Sequence, residues 1–99
     1  MSTPAKAKLV SVLLETQDVL RRPQNDFAWS ELDDAAKAIS DIGSHLDCIE
    51  RNDFSRLPEL TLLFAPTGAI QEVAVSSGWG DEFLDLADRF DKATAAVTR

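Results

Sequence analysis

The chain has 99 residues, enough for one small core, and we predict a single helical domain over residues 1–99. Its net charge of −7 disfavours nucleic acid as a partner, because phosphates would be repelled. The lone Cys48, the N-terminus without an apolar signal segment and the absence of a long apolar run predict a cytoplasmic protein with no membrane partner.

The first predicted helix runs from Pro4 to about Arg22, where Pro23 stops it. Its inner face comprises Leu9, Val12, Leu13, Thr16, Val19 and Leu20. Val10 and Leu14 add a second apolar flank, which indicates a two-fold homodimer through Leu14. The alternative is that residues 55–65 cover this flank within the monomer.

Residues 30–51 form the second and most periodic predicted helix, antiparallel to the first. Its apolar seam repeats every seven residues: Leu32, Ala35, Ile39, Ile42, Leu46 and Ile49. Ser30 and Asp33 resemble a capping box at its start. Gly43 costs about 1 kcal/mol of helix propensity relative to alanine, so we expect a neighbouring backbone to approach closely there. Phe27 and Trp29, in the connector before this helix, are expected to fold back onto the core.

Residues 55–65 read as a short helix with Pro58 in its first turn, although 61–65 could instead form a strand. Pro66 then breaks the chain, and Thr67 is expected to cap a helix over residues 68–77. Gly78 is the expected left-handed residue after that helix.

The last predicted helix covers residues 81–97, and its predicted inward residues are Phe83, Ala87, Phe90, Thr94 and Val97. The predicted fold is therefore all-α: a small bundle of four to five helices, with an N-terminal antiparallel hairpin and a C-terminal pair resembling a helix-turn-helix.

The spacing of Ala74, Gly78, Leu84 and Ala87 resembles that of a helix-turn-helix unit. A transcriptional regulator is therefore one alternative function. The helix that would enter the DNA groove, residues 80–90, offers four carboxylates and one arginine, which opposes DNA binding.

Asp41, His45 and Cys48 share one stripe of the second helix and could ligate a transition metal. A minor metal site is a second alternative, but the chain has no further His or Cys to complete a Cys/His-type zinc site. Cys48 lies near the helix C-terminus beside Asp47, an unfavourable place for a reactive thiolate. We therefore expect a polar stripe bordering the core, no cofactor and no enzymatic activity.

The leading hypothesis is a non-enzymatic protein-protein interaction module, of the inhibitor or immunity type, that docks on a basic partner. The predicted partner-binding residues are Asp33, Asp34, Asp41 and Asp47, which form an acidic ridge opposite the seam, and Trp79. Trp79 sits between two glycines and is either a staple that packs onto Leu84 or an exposed anchor. An ordinary solvated helix face is the simpler explanation of the ridge.

Overall fold

The computed structural model describes residues 4–22, 25, 35–65 and 68–97. Five helices occupy this part of the chain, and it contains no strand. They are α1 (Pro4–Leu20), α2 (Ala35–Glu50), α3 (Leu57–Leu63), α4 (Ala69–Ser77) and α5 (Gly80–Val97). The all-α prediction is confirmed, and residues 61–65 form the end of α3 and the turn after it. The predictions made for Pro23, Phe27, Trp29, Ser30, Leu32, Asp33, Asp34, Pro66 and Thr67 fall outside the described residues.

Helix α1 packs most extensively against α5, and the two run antiparallel. Arg22, just after α1, forms a bidentate ion pair with Glu82 in the first turn of α5, with N–O distances of 2.9 and 2.8 Å. About two helical turns further along α5, Arg89 forms an ion pair with Glu15 of α1. The first and last helices of the bundle are therefore neighbours.

Helix α1 also packs antiparallel against α2, as predicted. The side-chain amide of Gln17 donates a 3.0 Å hydrogen bond to the carbonyl of Ile39, near the start of α2. At the opposite end, the Lys6 ammonium donates to the carbonyl of Glu50 at 3.2 Å. These two bonds fix the relative position of the helices along their axes.

The predicted inner face of α1 is confirmed, because all six of its residues are buried. The only hydroxyl on that face, that of Thr16, donates to the Val12 carbonyl at 2.8 Å, so no polar atom there is left without a partner. Across the core, the rings of Phe64 and Phe90 stack with their centroids 4.3 Å apart. This contact joins the residue after α3 to the middle of α5.

The register of α2 differs from the predicted seam. Ile42 and Ile49 are buried as expected, but Ile39 and Leu46 are only partly buried. The other buried positions are Ala38, His45 and Cys48. The helix therefore turns its small and polar flank further into the core than its apolar pattern predicts.

Gly43 does not lie against a backbone within the described residues. A Cβ added there would meet only the Gln17 side-chain nitrogen, at 3.7 Å, which is ordinary van der Waals contact. The expectation of a close backbone neighbour at Gly43 does not hold. The close approach occurs instead at Gly68, the N-cap of α4, where a Cβ would clash with the Leu62 carbonyl oxygen.

The turn between α4 and α5 follows the prediction. Gly78 has a φ of +84° and ends α4 in the left-handed region, where a residue with a side chain would be strained. Helix α5 begins at Gly80, and Phe83 and Phe90 are buried as predicted. Ala87, Thr94 and Val97 are partly buried, whereas Leu86 and Ala93 complete the inner face.

Candidate functional site

The acidic ridge is described at two of its four positions. Asp47 is exposed and lies on the side of α2 away from Ile42 and Ile49. Asp41 is half-buried and forms a 3.7 Å ion pair with Lys37. Asp41 and Asp47 are six positions apart in the sequence, which places them about 120° apart around the helix axis. They therefore do not lie on a single stripe, and Asp33 and Asp34 lie outside the described residues.

Asp47 and Glu50 lie in the last turn of α2, where the helix dipole disfavours negative charge. That turn contains no basic residue, and neither carboxylate forms an ion pair with the described part of the chain. The Lys6 ammonium binds the Glu50 carbonyl and the Asn52 side-chain oxygen, so it caps the backbone. Asp47 and Glu50 thus have no ion-pair partner in the described structure, although the Lys6 ammonium lies at the same end of α2.

Helix α5 carries more acidic residues than α2 in the described structure, but most of them are paired. Arg89 binds Asp85 within the helix and Glu15 across the interface with α1. Lys92 binds Asp88 at 2.8 Å.

At the start of α5, the hydrogen bond from Arg22 holds the pKa of Glu82 below its usual value. Asp81 and Glu82 also lie in the first turn of the helix, where the dipole favours carboxylates. The fold therefore accounts for much of the charge on α5.

His45 is buried inside the bundle, with 5% of its surface exposed. Burial lowers the pKa of its imidazole, and the positive charge of Arg56 lowers it further. Glu59 and Asp41 act in the opposite direction but do not reverse the shift. The expectation of a polar stripe bordering the core was wrong for His45, which lies within the core as a neutral side chain near pH 7.

The stripe of Asp41, His45 and Cys48 does not come together as a metal site. No three His, Cys, Asp or Glu side chains within residues 4–22, 25, 35–65 and 68–97 are grouped closely enough to hold an ion. Cys48 is buried, and an Arg51 guanidinium nitrogen lies 3.8 Å from its sulfur. A buried thiol of this kind offers no open approach to a substrate.

Trp79 is a core residue with 4% of its surface exposed. Its indole N–H donates a 2.7 Å hydrogen bond to the side-chain oxygen of Asn25, and the Asn25 amide donates to the Val19 carbonyl at 2.8 Å. Trp79 therefore joins the α4–α5 turn to the end of α1. Leu84, the predicted packing partner of the staple, is 62% exposed. Because the ring is covered, Trp79 is not available to a docking surface.

The exposure of Leu84 also weakens the helix-turn-helix comparison. Ala74 is buried and accepts hydrogen bonds from the backbone N–H groups of Gly78 and Trp79, so the turn itself is formed. The apolar position that should fix the second helix is instead occupied by Phe83, one residue earlier. The α4–α5 pair has the turn of such a unit but a different helix register.

The second flank of α1 is divided between the core and solvent. Val10 is partly buried against the core, whereas Leu14 is 49% exposed. Helix α3 packs against α2 and α4, and Leu14 remains half open to solvent. Leu14 is thus available for contact with a second molecule.

The ion pairs between α1 and α5 were missing from the sequence-based description of the surface. Glu15 on α1 and Arg22 just after it are matched by Arg89 and Glu82 on α5, in reverse order along the chain. This pattern of opposite charges was visible in the sequence, but it could be interpreted only once α5 was known to lie beside α1.

Comparison of the chain with protein-family models, with curated proteins and with solved structures found no match. Among the helices in the described part of the chain, none is both long enough and apolar enough to cross a membrane.

Proposed function

We propose that this protein is a non-enzymatic interaction module that binds a basic protein partner through the exposed carboxylates of α2, in the manner of an inhibitor or immunity protein. One observation carries the proposal: Asp47 and Glu50 have no ion-pair partner in the described structure and lie at the helix end where the dipole disfavours them. A partner's lysine or arginine side chains would remove this unfavourable charge on binding.

The proposed surface is centred on Asp47 and Glu50 at the end of α2. The proposal also includes Asp41, on another flank of the helix, and Asp33 and Asp34, which precede α2 in the sequence. A net charge of −7 would draw a basic protein towards it and raise the association rate. Such a rate falls as salt screens the charges. The same charge would repel nucleic acid, so we propose that the partner is not a nucleic acid. We also propose a cytoplasmic location and no membrane partner.

The test compares two double variants with the same change in charge. Asp47→Asn with Glu50→Gln alters the proposed surface, and Asp81→Asn with Asp91→Asn is the matched control on α5. Each immobilised protein is exposed to cell lysate at low and at high salt, and the captured proteins are identified. We expect the wild type and the α5 variant to retain basic proteins at low salt and to release them at high salt. The α2 variant should fail to bind the same proteins.

Equal retention by both double variants would show that the captured proteins respond to bulk charge, and the proposal would then be wrong. Salt-sensitive binding of the wild-type protein to random duplex DNA would favour the regulator instead. Circular dichroism of each variant verifies that loss of binding is not loss of folding.

We also propose that the protein self-associates through the α1 flank formed by Val10 and Leu14. The half-exposed Leu14 supports this proposal, because a two-fold axis would pair it with its symmetry mate. Sedimentation should then show a dimer that Leu14→Glu converts into folded monomers. A wild-type monomer at micromolar concentration would contradict it.

A further inference from the structure

A groove of about 550 Å³ lies between α1 and α5. It is lined by the apolar residues Ala5, Val12, Ala93 and Ala96 and by the polar or charged residues Lys8, Ser11, Arg89 and Lys92. Small-molecule sites in proteins are clefts of about 300–1,000 Å³, mostly apolar with a few polar groups. The groove has the size and lining of such a site.

The groove exists because the facing positions of two antiparallel helices carry small side chains. Ala5 on α1 and Ala93 and Ala96 on α5 leave space that leucine or isoleucine would fill. Val12 and Ala93 of the lining are buried. An aliphatic chain placed there would remove apolar surface from water on both sides.

All the charged residues that line the groove are basic, although the chain as a whole carries −7. Arg89 and Lys92 pair with Glu15, Asp85 and Asp88, none of which lines the groove. Lys8 is exposed and forms no ion pair or hydrogen bond within the described part of the chain. Its ammonium is therefore available to an anion, and the Ser11 hydroxyl beside the groove can donate a hydrogen bond.

We propose that this groove binds a small organic anion with an aliphatic body, such as a medium-chain carboxylate. The carboxylate pairs with Lys8, and the alkyl chain lies on Val12 and the alanines that line the groove. Glu15, Asp85 and Asp88 lie outside the lining, so a small monovalent anion held within the groove meets no carboxylate there. An acidic peptide, which carries several negative charges, would be repelled by these neighbouring carboxylates. This site is separate from the acidic surface of α2.

Titration with sodium octanoate, followed through backbone amide NMR shifts, tests the proposal. We expect saturable shifts at Lys8, Ser11, Val12, Ala93 and Ala96, and weaker binding of 1-octanol, which has the same chain without the charge. Octanol binding as tightly as octanoate would overturn the assignment of an anion. Shifts that do not saturate, or that centre on Leu14 or Leu84, would overturn the site.

Two variants with matched controls locate the ligand. Lys8→Glu should weaken octanoate binding tenfold or more, whereas Lys37→Glu, the same charge change on α2, should alter it less than twofold. Ala96→Leu should fill the groove and abolish binding, while Ala7→Leu, on the exposed side of α1, should preserve it. Equal effects within either pair would contradict the proposed position.

Discussion

Helices α2 and α5 both pack against α1 and both carry exposed carboxylates, but these charges stand in different surroundings. On α5, Asp81 and Glu82 lie in the first turn, where the dipole favours them. Arg22 pairs with Glu82, Arg89 with Asp85, and Lys92 with Asp88. On α2 two carboxylates close the helix without a basic neighbour in its last turn. The ion pairs of α5 therefore stabilise the fold, whereas Asp47 and Glu50 of α2 form no ion pair in the described structure.

The two helices also differ in what they bury. The buried side chains of α5 are Phe83, Leu86, Phe90 and Ala93, all apolar. Helix α2 buries an imidazole and a thiol beside its isoleucines. This difference means that substitutions and pH should affect the two helices in separate ways.

The largest effect should come from the core. We expect Phe90→Ala to reduce the free energy of unfolding by about 3–5 kcal/mol and Ile42→Ala by about 2–5 kcal/mol, because both side chains are fully buried. Ile39→Ala should cost less than Ile42→Ala, since Ile39 is only partly buried. Urea denaturation measures all three. Equal costs at Ile39 and Ile42 would restore the register predicted from the sequence.

A smaller effect on stability should come from pH, because His45 of α2 and Glu82 of α5 titrate in different pH ranges. The folded protein lowers the pKa of His45, so between its folded pKa and the unfolded value of about 6.5 the unfolded chain binds more protons. The stability contributed by neutral His45 is thus complete above pH 6.5 and declines as pH falls through the folded pKa. Urea denaturation at several pH values should show this loss in the free energy of unfolding of the wild type. The same free energy should depend less on pH in His45→Gln.

The α5 side provides the control for that measurement. The pKa of Glu82 is lowered from 4.5, so the stability from its pairing with Arg22 is present above pH 4.5 and lost only in more acidic solution. Arg22→Gln should therefore alter the profile below pH 4.5 and leave the His45 window unchanged. A His45→Gln profile as steep as wild type would show that other groups cause the loss.

The smallest effect compares the helix ends directly. Asp47→Asn should raise the free energy of unfolding by about 0.3–1 kcal/mol, because it removes negative charge from the C-terminal turn of α2. Asp81→Asn should lower it by a similar amount, because it removes favourable charge from the first turn of α5. Thermal denaturation at low salt would show the opposite signs, and high salt should reduce both. Changes of the same sign would mean that overall net charge, not the helix dipole, sets the effect.

The helices themselves were predictable because their signals are local. The inner face of α1, the left-handed Gly78 and the short helix with Pro58 in its first turn each follow from spacing or from the conformational preference of one residue. Such signals require no knowledge of which elements are neighbours. They predicted the all-α class but not the pairing of α1 with α5.

The register of α2 and the exposure of Leu84 depend on neighbouring elements. Ile39 and His45 lie on opposite flanks of the stripe through Ile42 and Ile49. Hydrophobicity alone therefore predicts that the flank with Ile39 is buried and the flank with His45 is exposed. In the structure α1 lies towards Ile39 through its Gln17 bond, while the other flank is enclosed enough to bury His45. A seven-residue repeat also drifts by about 20° per heptad on a straight helix, which blurs the centre of a seam.

The candidate surface was predictable only in part for the same reason. The sequence shows where carboxylates occur along α2, but not which cations reach them. Lys37 pairs with Asp41, while Lys6 binds the backbone near Glu50 and leaves the carboxylates at that end unpaired. These choices depend on the distances between side chains on different turns and helices.

The pairing of α1 with α5 has a consequence for the order of events in folding. Glu15 and Arg89 are 74 residues apart in sequence, whereas Gln17 and the Ile39 carbonyl are 22 apart. Closing the longer loop costs about 1 kcal/mol more chain entropy, so the α1–α2 hairpin can form earlier. During synthesis α1 would keep part of its apolar face uncovered until α5 has left the ribosome. The nascent chain is therefore most exposed to aggregation and to chaperones just before its last helix is complete.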